Sequence, residues 1–182
     1  MRRADQLDLA VRAAGAAFGR VDVCVVNAGI WPPEPCALDA MPEARVREVV
    51  ETNVLGAMWT ARAFVAALRR SGPRASGDGA VVIFIGAVGG RFGDEGHAEF
   101  AASKAALRGL VLTLKNEIVR VDPFARVNLV DPGWTVTPEV APPHTVRRIL
   151  DHLGVRADPL PRAPARDPTW EQEELGFNAG AA

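Results

Sequence analysis

Residues 80–104 read AVVIFI-GAVGGRFGDEG-HAEFAASK: an apolar run (Ala80 to Ile85), a glycine-dotted loop (Gly86 to Gly96) and the opening of a helix, in direct succession. The helical pattern extends from Glu99 to about Arg120. Positions i and i+4 of a helix share a face, so Phe100 and Lys104 should both point towards the loop. A tyrosine at position 100 would be a proton donor beside an ammonium that lowers its pKa. Phe100 has no hydroxyl, and the chain contains no tyrosine at all. Lys104 and Lys115 are the only lysines among 21 basic residues.

The same grammar extends on both sides. Ala4 to Phe18 carries an approximate helical stripe closed by Gly19. Val21 to Val26 is a short apolar run, as for a strand covered on both faces of a parallel sheet, and it ends in Asn27-Ala28-Gly29. After a proline-rich loop, Trp31 to Cys36, a long helical pattern runs from about Pro42 to Arg70, with Val49, Val50, Met58, Phe64 and Leu68 on its apolar side. The charged stretch Glu43 to Glu51 reads as a solvated helix start. Ser71 to Gly79 is a turn-forming connector. Arg126 to Val130 is a third strand, closed by Asp131-Pro132-Gly133, and Thr145 to Leu153 reads as one more helix. Helices alternating with strands over short connections predict an α/β, doubly wound parallel sheet. Residues 1–153 form this domain, and 154–182, with prolines at 159, 161, 164 and 168, read as an irregular tail.

Composition bounds the function. The 182 residues are 48% hydrophobic and 24% charged, and the net charge of −1 provides no electrostatic attraction for nucleic acid or an anionic membrane. The apolar stretches are too short to span a bilayer. The N-terminus lacks a secretory apolar core. Cys24 and Cys36 match no metal-ligand spacing or disulfide scaffold, which makes the cytoplasm the expected compartment.

In open α/β sheets, ligands bind beyond the carboxyl ends of the strands. Three strand ends should converge there: Asn27-Ala28-Gly29, Gly86-Ala87-Val88-Gly89-Gly90, and Pro132-Gly133-Trp134-Thr135-Val136-Thr137. With Asn53 in Thr52-Asn53-Val54-Leu55-Gly56 and with Phe-Ala-Ala-Ser-Lys-Ala-Ala (100–106), this order resembles the short-chain dehydrogenase/reductase family over about Ala4 to Leu153. The resemblance implies a Rossmann-like fold, NAD or NADP as cofactor, and hydride transfer between the nicotinamide and a small alcohol or carbonyl substrate. It places Asn27, Ala28, Gly29, Lys104, Pro132, Gly133, Thr135 and Thr137 around the cofactor. It also implies a homodimer or homotetramer built on the helices 42–70 and 99–120.

The family's chemistry uses a tyrosine to exchange the proton, a lysine four residues later to lower its pKa and hold the ribose, a serine to orient the substrate oxygen, and an asparagine supporting a proton relay. Asn53 and Lys104 match. Phe100 stands at the tyrosine position and Ala87 at the serine position, so general-acid and oxyanion-type assistance are both lost. His97 lies one helical turn before Phe100 and could in principle donate a proton. A lone histidine needs a partner for that, and a solvent-facing loop position is the expectation. Trp31, Trp59 and Trp134 read as packing or crevice-wall residues, Trp134 being the best placed to line the crevice. Nothing here matches the family's pyrophosphate-gripping glycine turn, so the fold is expected to be partial, without the first βαβαβ unit. The resulting expectation is an oxidoreductase homologue of weak or no activity by itself. The alternatives are a non-catalytic pseudoenzyme or interaction subunit, or a truncated gene product.

Overall fold

A computed structural model describes residues 3–133 of the chain. Trp134, Thr135, Thr137, the helix expected over Thr145 to Leu153 and the segment 154–182 lie outside the described residues. The elements in order are α1 (Ala4–Phe18), β1 (Val23–Val26), a short 3-10 turn (Leu38–Ala40), α2 (Glu43–Val50), a π-turn (Glu51–Leu55), α3 (Gly56–Ser71), β2 (Val81–Ile85), α4 (Gly89–Phe92), α5 (Ala98–Ile118) and β3 (Arg126–Val130). The strands form one parallel sheet in the order β1-β2-β3, with Val23 opposite Val81 and Val81 opposite Arg126. This is the parallel α/β architecture that the alternation of elements predicts.

Periodicity builds the core. Alternate strand residues Val26, Val82, Phe84 and Val127 face the same way. They pack against Ala57, Ala61, Phe64 and Leu68 of α3 and against Leu107, Val111, Leu114 and Ile118 of α5. Both helical sets repeat with spacings of four, three and four residues, which keeps a single stripe on the sheet. Helix α1 packs on α3 and contributes no fully buried residue. Arg62 pins it there through an ion pair to Asp8 at 2.8 Å.

One expectation needs correction and another a refinement. The sheet is not covered on both faces by the described residues: Val23 and Val25 are 58% and 55% exposed, and Val130 is 47% exposed. An apolar strand run states that burial is wanted, but not which side has already received it. The long helix runs unbroken from Glu43 to Ser71 as expected, but it is not regular α-helix throughout. Its middle turn, Glu51–Leu55, is a π-turn, and this extra residue in the turn shifts the register so that Asn53 points inward, only 2% exposed. No helix among the described residues is long and apolar enough to cross a membrane.

Asp122, 1% exposed, fixes the link between α5 and β3. Its carboxylate accepts from the Ala80 N–H at 2.8 Å and from the Phe124 N–H at 3.0 Å, joining the start of β2 to the turn before β3. Replacing Asp122→Ala leaves the buried Ala80 N–H without an acceptor, which costs about 1–3 kcal/mol. Urea denaturation should show that loss with an unchanged slope, and an undiminished midpoint would contradict the role.

Candidate functional site

The site starts from one buried amide. The Asn53 Oδ1 accepts from the Ile30 N–H at 2.7 Å, and its Nδ2 donates to the Ile30 carbonyl at 2.9 Å and to Ser103 Oγ at 3.0 Å. The Ser103 hydroxyl in turn donates to the Phe100 carbonyl at 2.7 Å. A single side chain in the π-turn therefore holds the loop after β1 and the first turn of α5 together. Ser103 is not among the site residues expected from the sequence. The signal was available: a serine one position before Lys104, on the face of α5 that meets the long helix.

Lys104 sits beside this group, 8% exposed. Its Nζ donates to the Ile85 carbonyl at 2.9 Å, at the end of β2, and lies 5.8 Å from the centre of the Phe100 ring. Burial pulls the ammonium below the ordinary lysine range, and Asp131 offsets part of that fall. One of its three N–H donors is engaged by Ile85, which leaves two for a hydroxyl-bearing ligand. A side chain added at Gly29 would begin 3.0 Å from Asn53 Oδ1 and 3.2 Å from Lys104 Nζ. A Cβ at Gly29 would therefore sit tightly against the amide and the ammonium, which would have to give by a few tenths of an ångström.

The other strand ends arrive at the same end of the sheet. The Gly86 N–H donates to Val130 O at 2.7 Å and the Val88 N–H to Pro132 O at 3.2 Å, which places the Ala87 loop beside Asp131-Pro132-Gly133. A Cβ on Gly89 would lie 3.9 Å from the Phe100 ring. Ala87 is half-buried on this loop, while Asn27 and Ala28 are exposed. The structure thus brings Gly29, Asn53, Phe100 and Lys104 together, with Ala87 and Pro132 on adjoining loops. Thr135 and Thr137 fall outside the described residues.

A second cluster escaped sequence reading. His97 is 5% exposed, stacked on Trp31 with ring centres 4.8 Å apart, and is therefore not the solvent-facing residue expected. Arg45 reaches its Nδ1 at 3.4 Å and pairs with Glu99 at 2.7 Å, and the Glu99 side chain is fully buried. The charged start of the long helix is thus not uniformly solvated. Arg45 and Glu99 lie 54 residues apart, and no local pattern pairs them.

The family model for short chain dehydrogenases matches residues 1–145. The chain belongs to the short-chain dehydrogenase family. It is 33% identical to the 3-oxoacyl-(acyl-carrier-protein) reductase FabG of Escherichia coli over 124 residues, which cover 67% of this chain and 46% of that protein. It is 32% identical to the reductase MabA of Mycobacterium tuberculosis over 133 residues, covering 73% of this chain and 50% of that one. A crystal structure of an NADH-dependent reductase complexed with NAD superposes with a TM-score of 0.65 at 27% identity, covering 74% of this chain and 54% of the other. The chain spans about half the length of the curated relatives it matches.

As a short-chain dehydrogenase, the chain keeps a close backbone contact at the base of Lys104. A Cβ on Gly90 would lie 2.7 Å from Lys104 Cβ and 2.9 Å from the Ala105 backbone nitrogen, so α4 can touch α5 only through glycine. Gly90→Ala should force the two elements apart and cost on the order of 1–3 kcal/mol. Thermal unfolding measures this, and a variant as stable as the parent would show that the contact relaxes freely.

Proposed function

We propose that the chain carries the proton-handling side of an NAD- or NADP-linked oxidoreductase site for small alcohols or carbonyl compounds, with little or no turnover in its present form. The observation that carries the reading is Lys104: a buried ammonium held by Ile85 O, against Gly29 and under the Phe100 ring. The residues fit a nicotinamide cofactor. Gly29 leaves open the space that a Cβ would fill, and Lys104 has two N–H donors for ribose hydroxyls. Asn27, Ala28, Pro132 and Gly133 would border the same ligand, with Thr135 and Thr137 following in sequence. The cofactor, when bound, would supply or accept the hydride.

The chain's own residues explain the low expected turnover. Phe100 presents an aromatic face to Lys104 but has no proton to exchange, and Ala87 has no donor for a substrate oxygen. Asn53, in the relay position, is fully engaged with Ile30 and Ser103 and so acts by holding those backbones. The absence of a proton donor at position 100 specifically favours a second reading: a non-catalytic partner of an active relative. Self-association as a homodimer or homotetramer through the outer faces of α3 and α5 fits Met58 and Leu112, which are 40% and 56% exposed. The cytoplasm, as compartment, accords with two free cysteines.

Restoring both hydroxyls with Phe100→Tyr and Ala87→Ser should raise carbonyl reduction on the order of a hundredfold or more over the parent, with NADH and NADPH binding followed by fluorescence. Efficient turnover by the parent would refute the low-activity reading. Cofactor binding without turnover in the repaired variant would favour the non-catalytic one. For assembly, sedimentation at micromolar concentration should give a dimer or larger species that Leu112→Glu shifts towards monomer. A monomeric parent would contradict the interface.

A further inference from the structure

The proline-rich loop after β1 is tied at both ends, and the two ties differ in kind. At the near end, Asn53 holds both backbone polar groups of Ile30 with a neutral amide whose oxygen and nitrogen are satisfied. At the far end, Arg45 donates to the Glu34 carbonyl at 2.6 Å and to Gly96 O at 3.3 Å, while the Cys36 N–H donates to the same Gly96 carbonyl at 2.8 Å. Arg45 is held in turn by Glu99 Oε1, through Nε at 2.8 Å and Nη2 at 2.7 Å. The other carboxylate oxygen, Glu99 Oε2, is buried with no hydrogen-bond partner.

We propose that residues 31–36 form a strap with a fixed end at Asn53 and a releasable end at Arg45, which latches it over the opening turn of α5. Asn53 and Arg45 project from the same helical run, so one rigid element carries both ties. The asymmetry lies in satisfaction. A buried carboxylate oxygen without a donor favours any excursion that admits water to it. A buried ion pair fixes geometry more than it adds stability. No such drive acts on the Asn53 end. Trp31, stacked on His97, moves with the strap and uncovers the turn that precedes Phe100. The inference does not depend on the proposed chemistry of the site.

The chain's two cysteines test it, because Cys36 lies in the strap and Cys24 in the middle of β1, where burial pushes its thiol up to about 11. Under native conditions, maleimide labelling is followed at each cysteine by peptide mass analysis. The double variant Arg45→Met with Glu99→Leu removes the latch without leaving a lone buried charge. Cys36 should then label at least about fivefold faster while Cys24 and the melting temperature hold nearly constant, as for local opening. Arg45→Lys keeps the charge but cannot reach all the acceptors, and should accelerate Cys36 by a smaller factor. Acceleration of both cysteines together would show that the pair holds the whole fold, and an unchanged Cys36 in both variants would show that the strap does not depend on it. Either result overturns the proposal. If the double variant does not fold, Arg45→Lys alone decides on the same criteria.

Discussion

The amide of Asn53 is buried in the middle of a helical run, and a buried amide must find partners for its oxygen and its nitrogen. In a regular helix, position 53 would sit one register away, and a polar group there would either face apolar neighbours or return to solvent. The π-turn at Glu51–Leu55 resolves this by rotating the side chain towards Ile30 and Ser103. The π-turn and the satisfied amide are two halves of one arrangement. Its effect extends beyond the helix, because the loop leaving β1 and the first turn of α5 take their positions from the same side chain. The fold around the site is thus specified by a polar group, whereas the fold as a whole is driven by the apolar stripe of α3 and α5 against the sheet.

Lys104 obeys the same accounting with a full charge. Burial penalises the ammonium, and three features reduce the penalty: the charge of Asp131, the Ile85 carbonyl and the face of Phe100. Phe100 therefore still has a physical task at its position, providing a negative ring face to a buried cation, although it has no oxygen for proton exchange. The Phe100 ring is thus part of what surrounds the ammonium.

What the sequence made legible was whatever repeats. The strand runs, the helical stripe ending in Leu68 and the pairing of position 100 with position 104 all follow from local period, and the structure has them. What stayed hidden depends on a single residue of register or on distant pairing. A π-turn adds one residue without altering composition, so the stretch 42–70 reads as one helix. His97 looks like a loop histidine until Trp31 and Arg45 arrive from more than fifty residues away. The spacing of Arg45 and Glu99 obeys no periodicity. The one-sided cover of the sheet was hidden for a different reason, since an apolar strand looks the same whether one or two layers pack on it.

That one-sided cover bears on the site. Strand β1 has a ladder partner only in β2 among the described strands, and Val23 and Val25 expose the face turned away from α3. A strand with one paired edge and one covered face opens at lower free energy than one held on all sides. Beyond the end of β1 at Val26 the chain runs on through Asn27-Ala28-Gly29, where an added Cβ would crowd the Asn53 oxygen and Lys104 Nζ. Whatever pairs along the free edge of β1 or covers Val23 and Val25 would stiffen that stretch. The same loop is held one residue further on, where Asn53 binds both backbone polar groups of Ile30. The loop that leaves this four-residue strand is thus the one that Asn53 ties to the first turn of α5.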